Sequence, residues 1–378
     1  MRIRRAYGVA LAVAAAVVVV LIVALVPRAR PPDATPAPSS TPTTAVPRVL
    51  FAHHVVLDTV PGGGAVTTDA YDSFEIEATG GPRQSHAIGG IAVGTPVFDG
   101  RGRVAYWRVP SLTRSLEIPG PYELVLWDIQ TDRDTVLLAP GDERPGGTVL
   151  WTADRKSLVV PTRARPATGR DTLARLLVID ADSGAMRVLG APAVDAVAPV
   201  FADAEIVAGL RRNSLVVLDA ASGAMRTQSA MRVATASMGE STELASSADG
   251  TIVELLRRFE SEAGPLWVWN VRDPGKDVAK VDERGISDPI FWPGRTEIAF
   301  TRSSGLAVLD YRSGRTRPLL SPPVRIVLVG VEPGGRFALV RGDTGLQIVE
   351  RVDDELRARP DLPLTAGSTL MPLGLVMP

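Results

Sequence analysis

Side chains able to do chemistry are few in this chain, and their types and spacing narrow what that chemistry can be. There is no cysteine, which removes thiolate nucleophiles, thiolate metal ligands, disulfides and a lipid-modified N-terminal Cys in one step. Of the three histidines, His53 and His54 are neighbours in an apolar, strand-like run. Adjacent strand residues point to opposite faces and cannot readily chelate one ion. His86 has no acidic or hydroxyl partner at a spacing that implies a general base. No metal site and no cofactor are expected, and no catalytic residue is identified. No Gly-x-Ser-x-Gly pentapeptide occurs, which disfavours hydrolases built on a nucleophile elbow.

The carboxylates fall in two recurring places. Asp99, Asp154, Asp203 and Asp249 follow short apolar runs, and Asp128, Asp180, Asp219 and Asp310 end them. A carboxylate in either place ordinarily accepts backbone N–H bonds of its own turn, so both sets are read as turn-formers. One set of charges is less easily assigned to turns. Arg108, Arg163, Arg211, Arg257, Arg302 and Arg341 each stand where an apolar run passes into a polar loop. Repeated in one place, such arginines would add their fields into a cationic face for an acidic partner, although polar loops also attract arginine singly. These six are the candidate binding residues.

The elements that must position them repeat. Short runs rich in Val, Ile, Leu and aromatics alternate with Gly, Asp, Pro and Ser turns, and no long helical period appears after residue 47. A first strand and turn recur as Pro96-Val97-Phe98-Asp99-Gly100, Leu150-Trp151-Thr152-Ala153-Asp154, Pro199-Val200-Phe201-Ala202-Asp203 and Pro289-Ile290-Phe291-Trp292-Pro293-Gly294. A third strand recurs as Leu124-Val125-Leu126-Trp127-Asp128, Leu177-Val178-Ile179-Asp180, Leu215-Val216-Val217-Leu218-Asp219 and Leu306-Ala307-Val308-Leu309-Asp310. Copies stand about 39 to about 52 residues apart, the range of four-stranded propeller blades. The fold class expected is all-β, a propeller of seven four-stranded blades over residues 48–378. Its first blade lacks an inner strand, because Pro47 precedes Arg48, and the segment from Thr369 to Leu375 is the expected replacement. In such a ring every loop joining second to third strands emerges on one face, which is where the six arginines are expected to gather. The Trp residues, on strands, are read as packing between blades.

The Asp-Gly and Pro-Gly turns, the strand Glu297-Ile298-Ala299-Phe300-Thr301 and the Asp-x-x-Ser-Gly turn from Asp219 to Gly223 together resemble TolB-type and WD-repeat-like bacterial propellers. The resemblance covers nearly all of residues 48–378. Its motifs specify turns, so it implies a fold and no ligand.

Ahead of the repeats, the run from Gly8 to Val26 carries no charge and makes about 28 Å of helix, close to the hydrocarbon thickness of a bilayer. Arg2, Arg4 and Arg5 precede it while Arg28 and Arg30 follow, a bias that keeps the first seven residues cytoplasmic and sends the rest outward. Residues 8–26 are read as one transmembrane signal anchor, with secretion after signal cleavage as the alternative. Residues 27–47, rich in Pro, Thr, Ser and Ala, read as an extended stalk. With 41 basic and 42 acidic residues and a net charge of −1, the chain lacks the basic excess of a nucleic-acid binder. The expected function is a non-enzymatic binding or scaffolding module outside the cytoplasmic membrane for a protein or an anionic envelope component. The alternative is an extracytoplasmic hydrolase or lyase acting on envelope glycans, which a carboxylate pair in the central channel would favour.

Overall fold

In a computed structural model the described residues are 46–377, apart from 61–63, 79–82, 111–120, 142, 153, 165–173, 190–200, 203–205, 212–213, 220–221, 223, 231–239, 248, 259–264, 271–272, 284, 321–325, 343–344, 361, 363 and 365–369. The stub, the apolar run of residues 8–26 and the stalk to residue 45 lie outside them. Among the described residues no helix is long and apolar enough to cross a membrane, and the regular elements are strands.

The strands enter in chain order. β1 (Arg48–Val60), β2 (Gly64–Ala78), β3 (Arg83–Phe98), β4 (Arg103–Val109), β5 (Tyr122–Asp128) and β6 (Arg133–Gly141) form one antiparallel sheet. β7 (Glu143–Pro145) and β8 (Leu150–Trp151) both pair with β9 (Ser157–Ala164), which is followed outward by β10 (Ala174–Asp180) and β11 (Met186–Leu189). Four four-stranded sheets come next, each in simple sequence order. They are β12 (Phe201–Ala202), β13 (Ile206–Arg211), β14 (Ser214–Asp219) and β15 (Met225–Ala230); then β16 (Glu240–Ser246), β17 (Thr251–Arg258), β18 (Leu266–Asn270) and β19 (Asp273–Val281). The last two are β20 (Ser287–Phe291), β21 (Glu297–Arg302), β22 (Gly305–Asp310) and β23 (Arg315–Leu320); then β24 (Val327–Val331), β25 (Phe337–Gly342), β26 (Gly345–Val352) and β27 (Glu355–Ala358).

The final strand, β28 (Leu370–Val376), returns to the first sheet and pairs antiparallel with β1, Arg48 opposite Val376 and His53 opposite Leu370. The first sheet thus holds seven strands, in the order β28, β1, β2, β3, β4, β5, β6. β3 serves both halves: Phe74 of β2 faces His86, while Val97 and Phe98 face Ala105 and Val104 of β4. The register shifts between Val93 and Val97, where Gly94 takes φ +71°, a left-handed conformation glycine adopts without steric cost. Sequence reasoning starts a strand at Pro96; in the structure one strand, from Arg83 to Phe98, bends through this stretch.

Burial explains why the middle strands read as unbroken apolar runs. On β4, Val104 and Tyr106 pack with Leu50, Phe74 and Ile76 on one side, while Ala105 and Trp107 pack with Leu158, Val160 and Leu177 on the other. On β1, Leu50 and Ala52 join the first of those clusters, whereas Val49 and Phe51 pack with Phe337, Leu339 and Ile348 of the β24–β27 sheet. Successive strand residues point to opposite faces, so a strand between two sheets needs apolar residues at every position. Tryptophan completes the contacts. Trp151 Nε1 donates to the Val97 carbonyl at 3.1 Å and Trp292 Nε1 to the Gly335 carbonyl at 2.9 Å, each across a sheet boundary.

Removing residues 370–378 uncovers the β1 edge and takes Leu370, Leu375 and Val376 out of their packing, a loss of about 1.5–3 kcal/mol for each side chain. A clearly lowered melting temperature and aggregation through the open edge are expected. Melting identical to that of the intact chain would contradict this role for β28.

Candidate functional site

The turn carboxylates are spent locally. Asp99, fully buried, accepts the backbone N–H groups of Arg101, Gly102 and Arg103 at 2.6, 2.9 and 2.9 Å, and its second oxygen takes Arg103 Nε at 3.0 Å. Glu332 does the same for Arg336 N at 2.6 Å and Phe337 N at 3.3 Å. At the strand ends one device recurs. Asp180 and Asp219 each accept both the N–H and the hydroxyl of the serine three residues on, Ser183 and Ser222, and Asp128 does so with Thr131. These bonds, with the Ser313 hydroxyl in the same role at Asp310, hold the Asp180 and Asp310 carboxyls below their ordinary range. Asp203 lies outside the described residues.

The six candidate arginines share one end of their strands and little else. Arg108 is tied down: its Nη2 lies 2.6 Å from Glu123, directly opposite on β5, and its Nη1 3.1 Å from both Asp134 and the Ile88 carbonyl. Arg302 Nη1 stands 3.7 Å from Glu283. Arg163 and Arg341 are exposed. For Arg211 and Arg257 the backbone alone is described, opposite Ser214 and Ser241.

His86 sits between two carboxylates, a partnership its spacing in the chain conceals. Its Nδ1 lies 2.8 Å from Asp132 and its Nε2 3.3 Å from Asp134, and its ring stacks on Trp127 with centroids 4.3 Å apart. Tyr106 and Arg108 also hold Asp134. Burial opposes a charge on His86, yet Asp134 and Asp132 together raise its pKa above 6.5. His53 pairs with Asp72 at 3.0 Å, and the His54 ring lies against Tyr71, 4.7 Å between centroids. Among the described residues no three groups of His, Asp or Glu stand together as metal ligands.

A second open feature lies at the other end of the strands. In an antiparallel sheet the first and third turns lie at one end and the second turn at the other, so β21 carries Arg302 at one end and the Arg295 turn at its opposite end. Those first and third turns surround a cavity of about 820 Å³, within the range of ligand pockets. Arg101, Arg155, Arg295 and Arg312 reach it, with Asp99 and Asp249 as its carboxylates. Asp249 is engaged by the Thr251 N–H at 2.9 Å, the Tyr311 hydroxyl at 3.1 Å and the Ser247 hydroxyl, which keep its pKa low. Burial and that carboxylate lift the Tyr311 phenol to about 12. Arg295 is paired with Asp354 at 3.1 Å. The guanidinium groups of Arg101, Arg155 and Arg312 have no hydrogen bond or ion pair with any described residue.

Arg155 is held there at a cost. It takes φ +63°, unusual for a residue with a Cβ, and its carbonyl accepts a short bond from Arg103 Nη2. Arg103 also contacts Asp99 and, at 3.0 Å, Asp182, and lies 4.8 Å over the Trp151 ring. Burial pulls the Arg155 pKa down, opposed by Asp99 and reinforced by the like charge of Arg101. Beside this mouth, Arg351 is buried 4.5 Å over Trp292 and 2.7 Å from Glu297, which also takes Arg317 at 2.9 Å.

No protein-family model matches the chain, and no curated protein matches it. Solved structures do. The β-propeller domain of the Trilobed protease from Pyrococcus furiosus is 14% identical, with a TM-score of 0.50 over 82% of this chain and 95% of that one. The likeness shows a β-propeller fold. An oligogalacturonate lyase in complex with manganese (12% identical, TM-score 0.46, 82% of this chain and 89% of that one) and the Cps50 (Swd1) propeller domain of Myceliophteria thermophila (12%, 0.42, 71% and 89%) are also similar. The Trilobed protease propeller is described as having an open velcro topology, whereas here β28 and β1 are hydrogen-bonded neighbours.

The sequence reading missed Arg101, Arg155 and Arg312. A usable signal was present: Gly100-Arg101, Asp154-Arg155 and Asp310-Tyr311-Arg312 each place arginine one or two residues after a turn residue.

A histidine whose pKa is raised by folding stabilises the protein fully below its unfolded value, about 6.5, and loses that contribution as pH rises through the folded value. The melting temperature should therefore fall as pH rises above about 6.5, and the fall should shrink in His86→Gln. An unchanged pH profile in the variant would count against the Asp132–His86–Asp134 bridge.

Proposed function

We propose that the chain is a seven-bladed propeller acting as a non-enzymatic binding module, and that its site is the arginine-lined mouth. The seven-stranded sheet counts as two blades that share β3, and the other five sheets supply one each. The TolB-type reading rests on its turn motifs. The function rests on one observation: three guanidinium groups reach a single cavity without a partner among the described residues, while the carboxylates beside them are committed to their own turns. Arg155 is half-buried while Arg101 and Arg312 are exposed, and like charges gathered at one mouth add their fields and attract an anion. The occupant is accordingly anionic, a protein segment or an envelope component.

The two carboxylates in the mouth do not favour the glycan hydrolase or lyase. Asp99 has no exposure and four hydrogen bonds, so it cannot reach a substrate, and the low pKa of Asp249 ill suits a general acid. The uncharged run from Gly8 to Val26, with more arginine before it than after it, supports a single-pass anchor that places this module outside the cytoplasmic membrane.

The test is fluorescence anisotropy of labelled polyglutamate with the full-length chain in non-ionic detergent. Binding should weaken steeply with salt. Each partly exposed arginine contributes about 0.2–1 kcal/mol, so Arg101→Ala, Arg155→Ala and Arg312→Ala combined should lower affinity severalfold. Arg163→Ala, Arg302→Ala and Arg341→Ala combined should leave it unchanged. The reverse ranking would return the site to the second-to-third-strand rim, and no binding by the unaltered chain would end the anionic reading.

A further inference from the structure

The mouth is not uniformly polar, and its apolar part narrows the class of anion. Between the arginine turns the wall is built from Phe98, Ile290, Phe291, Val331 and Leu373, each half-buried, and the exposed Pro333. A bare polyanion would leave that surface either wetted or facing charge, with no gain from either. A glycan would seek the open face of a Trp or Tyr ring, which offers a polar edge beside its stacking face as Phe98 and Phe291 do not. Here Trp292 is 1% exposed, with Arg351 over its ring, and Tyr311 is 5% exposed with its hydroxyl given to Asp249. The volume of about 820 Å³ accommodates a few residues of extended chain. The cations stand on separate turns, Arg101 after β3, Arg155 after β8 and Arg312 after β22, so they flank the apolar wall.

Resting on the anionic reading above, we infer that the occupant is an acidic peptide segment with an apolar residue between its carboxylates. The apolar side chain enters against Phe291 and Leu373 while flanking Asp or Glu residues meet the guanidinium groups of Arg101, Arg155 and Arg312. Arg103 is a positioning residue for this site. It joins the Asp99 turn to the Arg155 carbonyl across a sheet boundary and so sets the two neighbouring cations against each other's charge.

The experiment compares short fluorescein-labelled probes on the full-length chain in non-ionic detergent. One peptide carries leucine between pairs of glutamates, a second replaces the leucine with glycine, and a third replaces the glutamates with lysines. Alginate and phosphatidylglycerol vesicles compete as a carboxylated glycan and a lipid surface. The leucine peptide should bind at least about tenfold more tightly than the glycine peptide, the factor expected for burying one such side chain. Leu373→Ser should reduce that ratio with little effect on the glycine peptide, and Arg103→Gln should weaken both peptides without changing it. Equal affinities for the leucine and glycine peptides, or displacement by alginate or vesicles at lower concentration than by the leucine peptide, would overturn the apolar-anchored peptide while leaving an anion site intact. Failure of every anionic probe to bind overturns both readings, and preferential binding of the lysine peptide does the same.

Discussion

Everything in this fold follows from the double-sided burial of its middle strands. A sheet whose central strands carry apolar residues at every position cannot expose either face. It needs a sheet on each side, and so does each of those. A stack with ends would leave two such faces in water, about 25 cal/mol for every Å² of apolar area exposed. A closed ring has no ends. Val49 and Phe51 meeting Phe337 and Leu339, with Leu50 and Ala52 meeting Tyr71 and Val104 on the opposite face, is that closure at the level of four consecutive residues. β28 completes it in the hydrogen-bond direction by covering the edge of β1.

Closure also decides where ordered polar groups stand. Because first and third turns of every sheet converge toward one end of the ring, their side chains either bond within the turn or face a common space. The aspartates took the first course, as Asp99 with three backbone N–H groups and Asp180 and Asp219 with their serines illustrate. A carboxylate can turn back and accept from its own backbone because it is short. Arginine is long and donates only, so Arg101, Arg155 and Arg312, set one or two residues beyond those turns, extend into the space that remains.

How much of this could be read from the sequence differs between fold and site for a physical reason. Strand, turn and repeat are local: Leu306-Ala307-Val308-Leu309-Asp310 followed by Ser313 specifies a strand and its terminating turn with no reference to the rest of the chain. Even the need for a strand at the C-terminus is local, since Pro47 denies β1 an inner neighbour from upstream. β3 was not legible as one strand, because the run from Pro96 reads as a strand of its own until the pairing of Phe74 with His86 and of Val97 with Ala105 is known. The site was harder still. Arg108 has the same local setting as Arg163, yet Glu123 opposite it on β5 and Asp134 on β6 consume its charge. His86 and Asp134 are 48 positions apart and meet only because β3 bridges the two halves of its sheet.

The same distinction bears on why three cations with no ion-pair partner among the described residues persist in one mouth. Like charges drawn together oppose folding, and the fold offsets this through contacts that have nothing to do with the occupant. Arg103 is fixed by Asp99, Asp182 and the face of Trp151, and through the Arg155 carbonyl it holds that residue in a left-handed conformation which leaves its guanidinium toward the cavity. On another turn, Arg295 is neutralised by Asp354 and Arg317 by Glu297, so the local positive field falls to Arg312. Local strain of this kind is found where surrounding structure over-determines a residue. At the mouth that surrounding structure is the boundary between two sheets, so the forces that close the ring also hold its unpaired charge in place.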